Sequence, residues 1–363
     1  MRPGRGPDPA AFAELLCDYC LEVRPGQQVV VRSSTLASPL LIELQSALLE
    51  REAWPLLRVE LPGQSESYWQ SARDIHLDSC SPLELAEAQD TDAAISIQAP
   101  DNARALTDVD PARMARAARA RGELREAAMR RRWNVTLWPT PALAQQAGMA
   151  TSDYAAFVAR ALFLDREDPV AAWRDLSAFQ AGLVERLSRA GTLRIEAEGT
   201  DLTLDVSART WINSDGRRNM PSGEVFTGPH EHSAEGHIAF TIPTSPGGVD
   251  VAGVTLEFRE GRVVAAHAER GEAYLREMIA ADEGAARLGE IGVGSNFGID
   301  RPTGTILLDE KLGGTVHLAL GRSYPETGGT NVSAIHWDLI CDLRGGGRLT
   351  ADGEVIQENG VFA

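Results

Sequence analysis

No apolar run in this sequence approaches the ~20 residues needed to cross a bilayer. No apolar core of signal-peptide type follows the opening stretch Met1 to Pro9. The expectation is a cytoplasmic protein with no membrane partner. Cysteine is scarce at four residues, which fits a compartment where thiols stay reduced. Cys17 and Cys20 form a Cys-x-x-Cys in a helical context, but no second pair accompanies them, so packed core thiols are expected. Positive charge is in deficit: 35 Lys and Arg against 52 Asp and Glu give a formal net charge of -17. That field repels nucleic acid backbones and anionic lipid and favours cations. No glycine-rich phosphate loop stands at the first strand–helix turn, where Ser33-Ser34-Thr35 is found instead, so a nucleotide site is not expected. Internal repeats are missing as well. The basic stretch from Arg113 to Arg132 lacks interleaved aromatic residues and is expected to be a solvated helix, with no nucleic acid partner.

What is present divides the chain in two. Its 363 residues exceed one comfortable core. In the first half, strand-like segments at Gln28 to Arg32, Leu56 to Leu61, Ala93 to Ile97 and Asn134 to Trp138 alternate with helical sequence, such as Pro39 to Glu52. This predicts an α/β N-terminal domain with a largely parallel sheet. A long helix from Asp168 to Ala190 carries Trp173, Leu176, Phe179, Leu183 and Leu187 at steps of three and four. The boundary is placed behind it, giving domains 1–190 and 191–363. Beyond it, Leu193 to Ala197 and Leu202 to Val206 alternate around Gly199-Thr200-Asp201, and Val254 to Phe258 and Val263 to His267 do so around Glu260-Gly261. A helix is expected from Glu272 to Leu288. The second half therefore reads as an α+β domain with a mixed or antiparallel sheet.

That half also holds the chemistry. In Thr315-Val316-His317-Leu318-Ala319-Leu320, alternation puts His317 on one face with the small Thr315 and Ala319, and the greasy residues on the other. His336 and Asp338, two apart, point the same way on a strand. Glu290 shares its face with Gly292 and Gly294, and Glu224 follows the turn-like Pro221-Ser222-Gly223. Singly, each of these residues has an ordinary structural explanation. Together, three carboxylates and two neutral imidazoles suit a pair of divalent cations, and zinc, cobalt, manganese and magnesium all tolerate that donor set. His230, His232 and His237 are expected to be loop residues, and His76 and His267 have no evident partners.

The segments Asn219 to Thr227, Leu288 to Glu290, His317 to Pro325 and Ser333 to Asp338 resemble the signature of the thermophilic metalloaminopeptidases of the aminopeptidase T and aminopeptidase II type, with leucyl aminopeptidase activity. The resemblance extends over nearly the whole chain. It implies an exopeptidase acting on peptides with a free N-terminus. The metal ligands would be Glu224, Glu290, His317, His336 and Asp338, with the metal site in the C-terminal half and a homodimer enclosing the cavity. The family's active-site tyrosine falls on Tyr324, seven residues past His317. One carboxylate, Glu224 or Glu290, would bridge the ions or take a proton from water. Two other readings compete. A ring-cleaving dioxygenase of pyridine catabolism is similar to these aminopeptidases and would need only one ferrous ion on His317, His336 and Asp338. A non-enzymatic, metal-stabilised dimer would use the ligands only to hold its fold.

Overall fold

The computed structural model describes residues 6–363; Met1 to Arg5, part of the opening stretch considered above, lie outside the described residues. The chain forms two compact units. The first runs to Val170 and adds Gly216–Pro221, and the second holds Ala171–Asp215 and Ser222–Ala363.

In the first unit, Gln28–Ser34 is flanked by Trp54–Glu60 and by Ala93–Gln98, which in turn pairs with Arg132–Leu137. Asn219–Met220 closes the far edge, and every pairing is parallel. Val29, Val30 and Val31 are consecutive and all buried, as expected of a strand covered on both faces. Helix Ser38–Glu50 buries Leu40, Leu41, Leu44, Ala47 and Leu48 along one stripe. Trp54–Glu60 is an edge strand, which leaves Leu56 and Val59 exposed.

The arginine-rich stretch is two helices rather than one, Pro111–Ala120 and Gly122–Met129, parted where Gly122 interrupts the run. Several of its guanidinium groups are engaged within the unit. Arg116 pairs with Asp74 and Asp78, and Arg113 donates to the carbonyls of Trp69 and Ala72. Cys17 and Cys20 lie in the buried π-helical turn Leu15–Cys20, and burial pushes the Cys17 thiol up to about 12, so it stays protonated and unreactive.

The second unit takes in the long helix from Ala171 on, rather than starting behind it. Helix Pro169–Leu187 contributes Leu183 and Leu187 to this unit's core, so the units divide near residue 170 where the sequence suggested 190. Two antiparallel sheets follow. Eight strands include the hairpins Thr192–Ala197 with Thr200–Asp205 and Val254–Arg259 with Arg262–His267. Glu260 and Gly261 both take positive φ, 49° and 72°, as a tight two-residue turn requires. The other sheet has five strands, in the order His336–Asp342, Thr315–Gly321, Leu288–Gly294, Glu224–Thr227, Ile212–Ser214. One continuous core draws Ile195, Leu204, Ile238 and Phe258 from the first sheet and Ile291, Val293, Leu318 and Leu339 from the second.

The helix expected from Glu272 to Leu288 stops at Ile279, and Leu288 opens a strand instead. The intervening residues are held in a loop. Asp282 accepts from Ala334 N–H and Ser333 Oγ, and a Cβ at Gly284 would lie 2.1 Å from the Val332 carbonyl.

Candidate metal centre

Four neighbouring strands of the five-stranded sheet carry the five donors. Register brings them onto one face. Gly294 lies opposite Glu224, Gly292 opposite both Phe226 and His317, Ala319 opposite both Glu290 and Asp338, and Gly321 opposite His336. Because strand side chains alternate, Glu224, Glu290, His317, His336 and Asp338 all project to the same side. The opposite side carries Val225, Ile291, Val293, Val316, Leu318, Leu320, Trp337 and Leu339, which form the core.

The small neighbours have a measurable purpose. A Cβ on Gly292 would lie 2.1 Å from the His317 ring, so the imidazole occupies the space that the glycine leaves. The pairing slips between Leu288 and Glu290, a bulge that re-aims the carboxylate. Gly289, at that slip, approaches backbone so closely that a Cβ would meet the carbonyls of Gly321 and Arg322 at 2.4 Å.

Glu290 stands at the middle of the set. Its Oε1 lies 3.2 Å from His317 Nε2, and its Oε2 lies 3.4 Å from His336 Nε2. His317 Nε2 is also 3.3 Å from Glu224 Oε2, and His336 Nε2 is 3.5 Å from Asp338 Oδ1. Two groups of three converging donors result: Glu224, Glu290 and His317, then Glu290, His336 and Asp338. Glu224 Oε2 is buried without a hydrogen-bond partner, an unusual condition for a carboxylate oxygen that a cation would relieve. The mixture of carboxylate oxygen and imidazole nitrogen fits divalent ions of the zinc, cobalt or manganese kind.

Burial alone would depress His317, but Glu290, Glu224 and Asp338 outweigh it and lift the imidazole to about 9. His336 reaches about 9 in the same way, against burial, through Asp338 and Glu290. At neutral pH both rings therefore favour the protonated form, where a cation would need a free nitrogen. A cation needs the neutral ring, so its affinity should rise with pH up to about 9 and fall as pH drops. Calorimetric titration with Zn²⁺ in buffers of different ionisation enthalpy should show net proton release near neutral pH. Proton-neutral binding would contradict these values.

Tyr324 faces the same cluster. Its ring lies 5.0 Å from that of His336 and 5.7 Å from that of Phe226. Burial, reinforced by Glu290 and Asp338, raises the phenol above its ordinary value, so it is a hydrogen-bond donor across the neutral range. A cavity of about 300 Å³ opens beside His336 and Asp338, with Pro243, Pro246, Ile306 and Ile340 in its walls.

The other histidines lie elsewhere. His230 Nε2 is 2.9 Å from the Ser207 carbonyl and its Nδ1 is 3.3 Å from Arg209 Nη2. His232 is exposed in a loop, whereas His237, expected in a loop, is exposed on strand Glu235–Phe240, opposite Glu257 and Asp201. His76 Nδ1 accepts from Arg73 N–H, and His267 faces Glu272. None of them belongs to either donor group among the described residues.

Sequence reasoning missed Glu310 and Lys311. Lys311 is fully buried, with Nζ 2.8 Å from Glu224 Oε1 and also paired with Glu310. Beside them, the buried Asp309 anchors the loop, accepting from Thr303 N–H, Thr303 Oγ1 and Gly304 N–H. The available signal was the charged run Asp309-Glu310-Lys311 shortly ahead of His317. Such a run ordinarily marks a solvated turn.

A family model described as thermophilic metalloprotease (M29) matches residues 8–362. Aminopeptidase 2 of Geobacillus stearothermophilus is 30% identical over 407 residues, covering 97% of this chain and 97% of that protein. Aminopeptidase T of Thermus thermophilus is 33% identical over 178 residues, 45% of this chain and 43% of that protein. Among solved structures, wild-type AmpT from Thermus thermophilus aligns with a TM-score of 0.84 at 23% identity, over 98% of this chain and 99% of that one. 2,5-Dihydroxypyridine dioxygenase from Pseudomonas putida KT2440 aligns at 0.59 and 14% identity, over 98% and 96%. At these identities the two structures speak for the fold alone.

Proposed function

This chain belongs to the thermophilic metalloprotease (M29) family, and from that premise we propose that it is an aminopeptidase holding two divalent cations in its second unit and removing residues from the free N-terminus of peptides. The observation that carries the two-cation reading is the position of Glu290, which belongs to both donor groups and turns one oxygen toward each histidine. Glu224, Glu290 and His317 would hold one cation, and Glu290, His336 and Asp338 the other. Zinc, cobalt, manganese and magnesium remain compatible with that set. Cations bound there supply Lewis acidity, acidifying a water and polarising a carbonyl.

The chain's own residues do the rest. Glu290, shared by both groups, would take the bridging role that the sequence left open between it and Glu224. Tyr324, kept protonated by burial, donates to the oxygen that gains charge as the scissile carbonyl is attacked. The cavity lined by Pro243, Ile306 and Ile340 receives part of the peptide. The aminopeptidase names of the relatives support restriction to chain ends. A homodimer belongs to the same proposal through the family resemblance, and a cytoplasmic location through the sparse, free cysteines. The single-iron alternative needs His317, His336 and Asp338 together, whereas His317 converges with Glu224 and Glu290 in a group that excludes Asp338.

Hydrolysis of aminoacyl-arylamides after chelation, with add-back of single cations, tests this function. Activity should vanish with the chelator, return with a cation, and be absent on N-acetylated substrates. Turnover that survives chelation, or that ignores acetylation, would overturn the proposal. Tyr324→Phe should lower kcat about 10²- to 10³-fold while folding and cation stoichiometry stay unchanged. A fully active variant would remove Tyr324 from the mechanism.

A further inference from the structure

A lysine is almost never fully buried unless paired. Lys311 is buried against two glutamates, one of which is a candidate metal ligand. Glu224 offers two oxygens. Lys311 Nζ holds Oε1 at 2.8 Å, and Oε2 is left toward His317 Nε2 at 3.3 Å with no hydrogen-bond partner. Glu310, outside both donor groups, is the second acid on the same ammonium. The other donor group has no such cation. Among the described residues, Glu290 and Asp338 form ion pairs with histidines only. Like charges repel more strongly at shorter range, so the ammonium penalises a cation at Glu224 more than one at Asp338. It also limits Glu224 to a single free oxygen.

We propose that Lys311 is a built-in competitor for the cation at Glu224 and makes the two positions unequal, so that Glu290, His336 and Asp338 fill first and Glu224, Glu290 and His317 fill second. Glu310 moderates that competition by sharing the ammonium. Lys311 is thus a positioning residue acting through Glu224, and its role rests on the two-cation reading above.

Calorimetric titration of cation-stripped protein with Co²⁺, followed in parallel by the visible absorption spectrum, separates the two steps. The unsubstituted protein should bind two ions with dissociation constants at least about tenfold apart. Lys311→Met should tighten the weaker step about tenfold or more and narrow the gap. Glu310→Gln, which leaves the ammonium wholly to Glu224, should weaken that step further. Lys311→Arg, which retains the charge, should preserve the gap. A lysine that only supported the fold would weaken both steps together in Lys311→Met, and that result would overturn the proposal, as would an unchanged weaker step. If Lys311→Met does not fold, Glu310→Gln decides: a weaker step that is unchanged or tighter overturns the role of Lys311. Two equal steps in the unsubstituted protein would also end it. Failure of that protein to bind Co²⁺ at all would overturn the metal reading itself, and this inference with it.

Discussion

Glu290→Gln should abolish turnover and disturb both cations at once. Glutamine keeps the shape of the side chain and loses its charge, and the residue it replaces is the only one common to both donor groups. Losing a hydrogen-bond partner behind a metal ligand already costs 10- to 100-fold in many enzymes, so losing the proposed ligand of both ions should lower kcat/KM on the order of 10³-fold or more. Cation stoichiometry should fall from two to at most one. The comparison that isolates this effect is Asp338→Asn, which touches one group and should spare a cation proposed to bind Glu224, Glu290 and His317. Metal content after gel filtration, with circular dichroism to confirm folding, reads both. A Glu290→Gln protein that keeps two ions and most of its activity would remove the residue from the centre of the site.

Gly292→Ala should be nearly as damaging, although the glycine has no side chain to offer a cation or a substrate. The new methyl carbon would stand 2.1 Å from His317 Cε1 and Nε2. Real Cβ atoms do not approach so closely, so the imidazole must turn away or the strands must part. Overpacking a filled interior typically costs about 1–3 kcal/mol, and here the group displaced is a candidate ligand. Thermal unfolding should shift down, and the cation step that uses His317 should weaken or vanish. Gly345→Ala is the control. A Cβ there meets nothing within 4 Å, so stability and activity should match the parent. Equal behaviour of the two variants would mean that the glycine does not make room for the histidine.

Much of this site was legible because strand geometry is simple. A period of two places His336 with Asp338, His317 with Ala319, and Glu290 with Gly292 and Gly294, and the registers brought these faces together. The parallel sheet of the first unit was equally readable from consecutive valines and intervening helices. Other features were out of reach because they depend on contacts distant in sequence. No local pattern says that the Glu224 strand pairs with the Glu290 strand, or that both oxygens of Glu290 find different histidines. Lys311 and Glu310 look like a solvated turn until the Glu224 carboxylate is brought beside the lysine. The long helix from Pro169 carries the apolar spacing of any amphipathic helix, and only its packing on the second core shows which side of the boundary it joins. The helix from Glu272 ended early because Asp282 and Gly284 are committed to the loop around Ser333.

The most direct measurement is anomalous X-ray scattering from crystals of the protein grown with Zn²⁺. Two peaks are expected on the glycine-lined face of the five-stranded sheet, one on either side of the Glu290 carboxylate. A lone peak, or peaks away from Glu224, His317, His336 and Asp338, would contradict the two-cation centre.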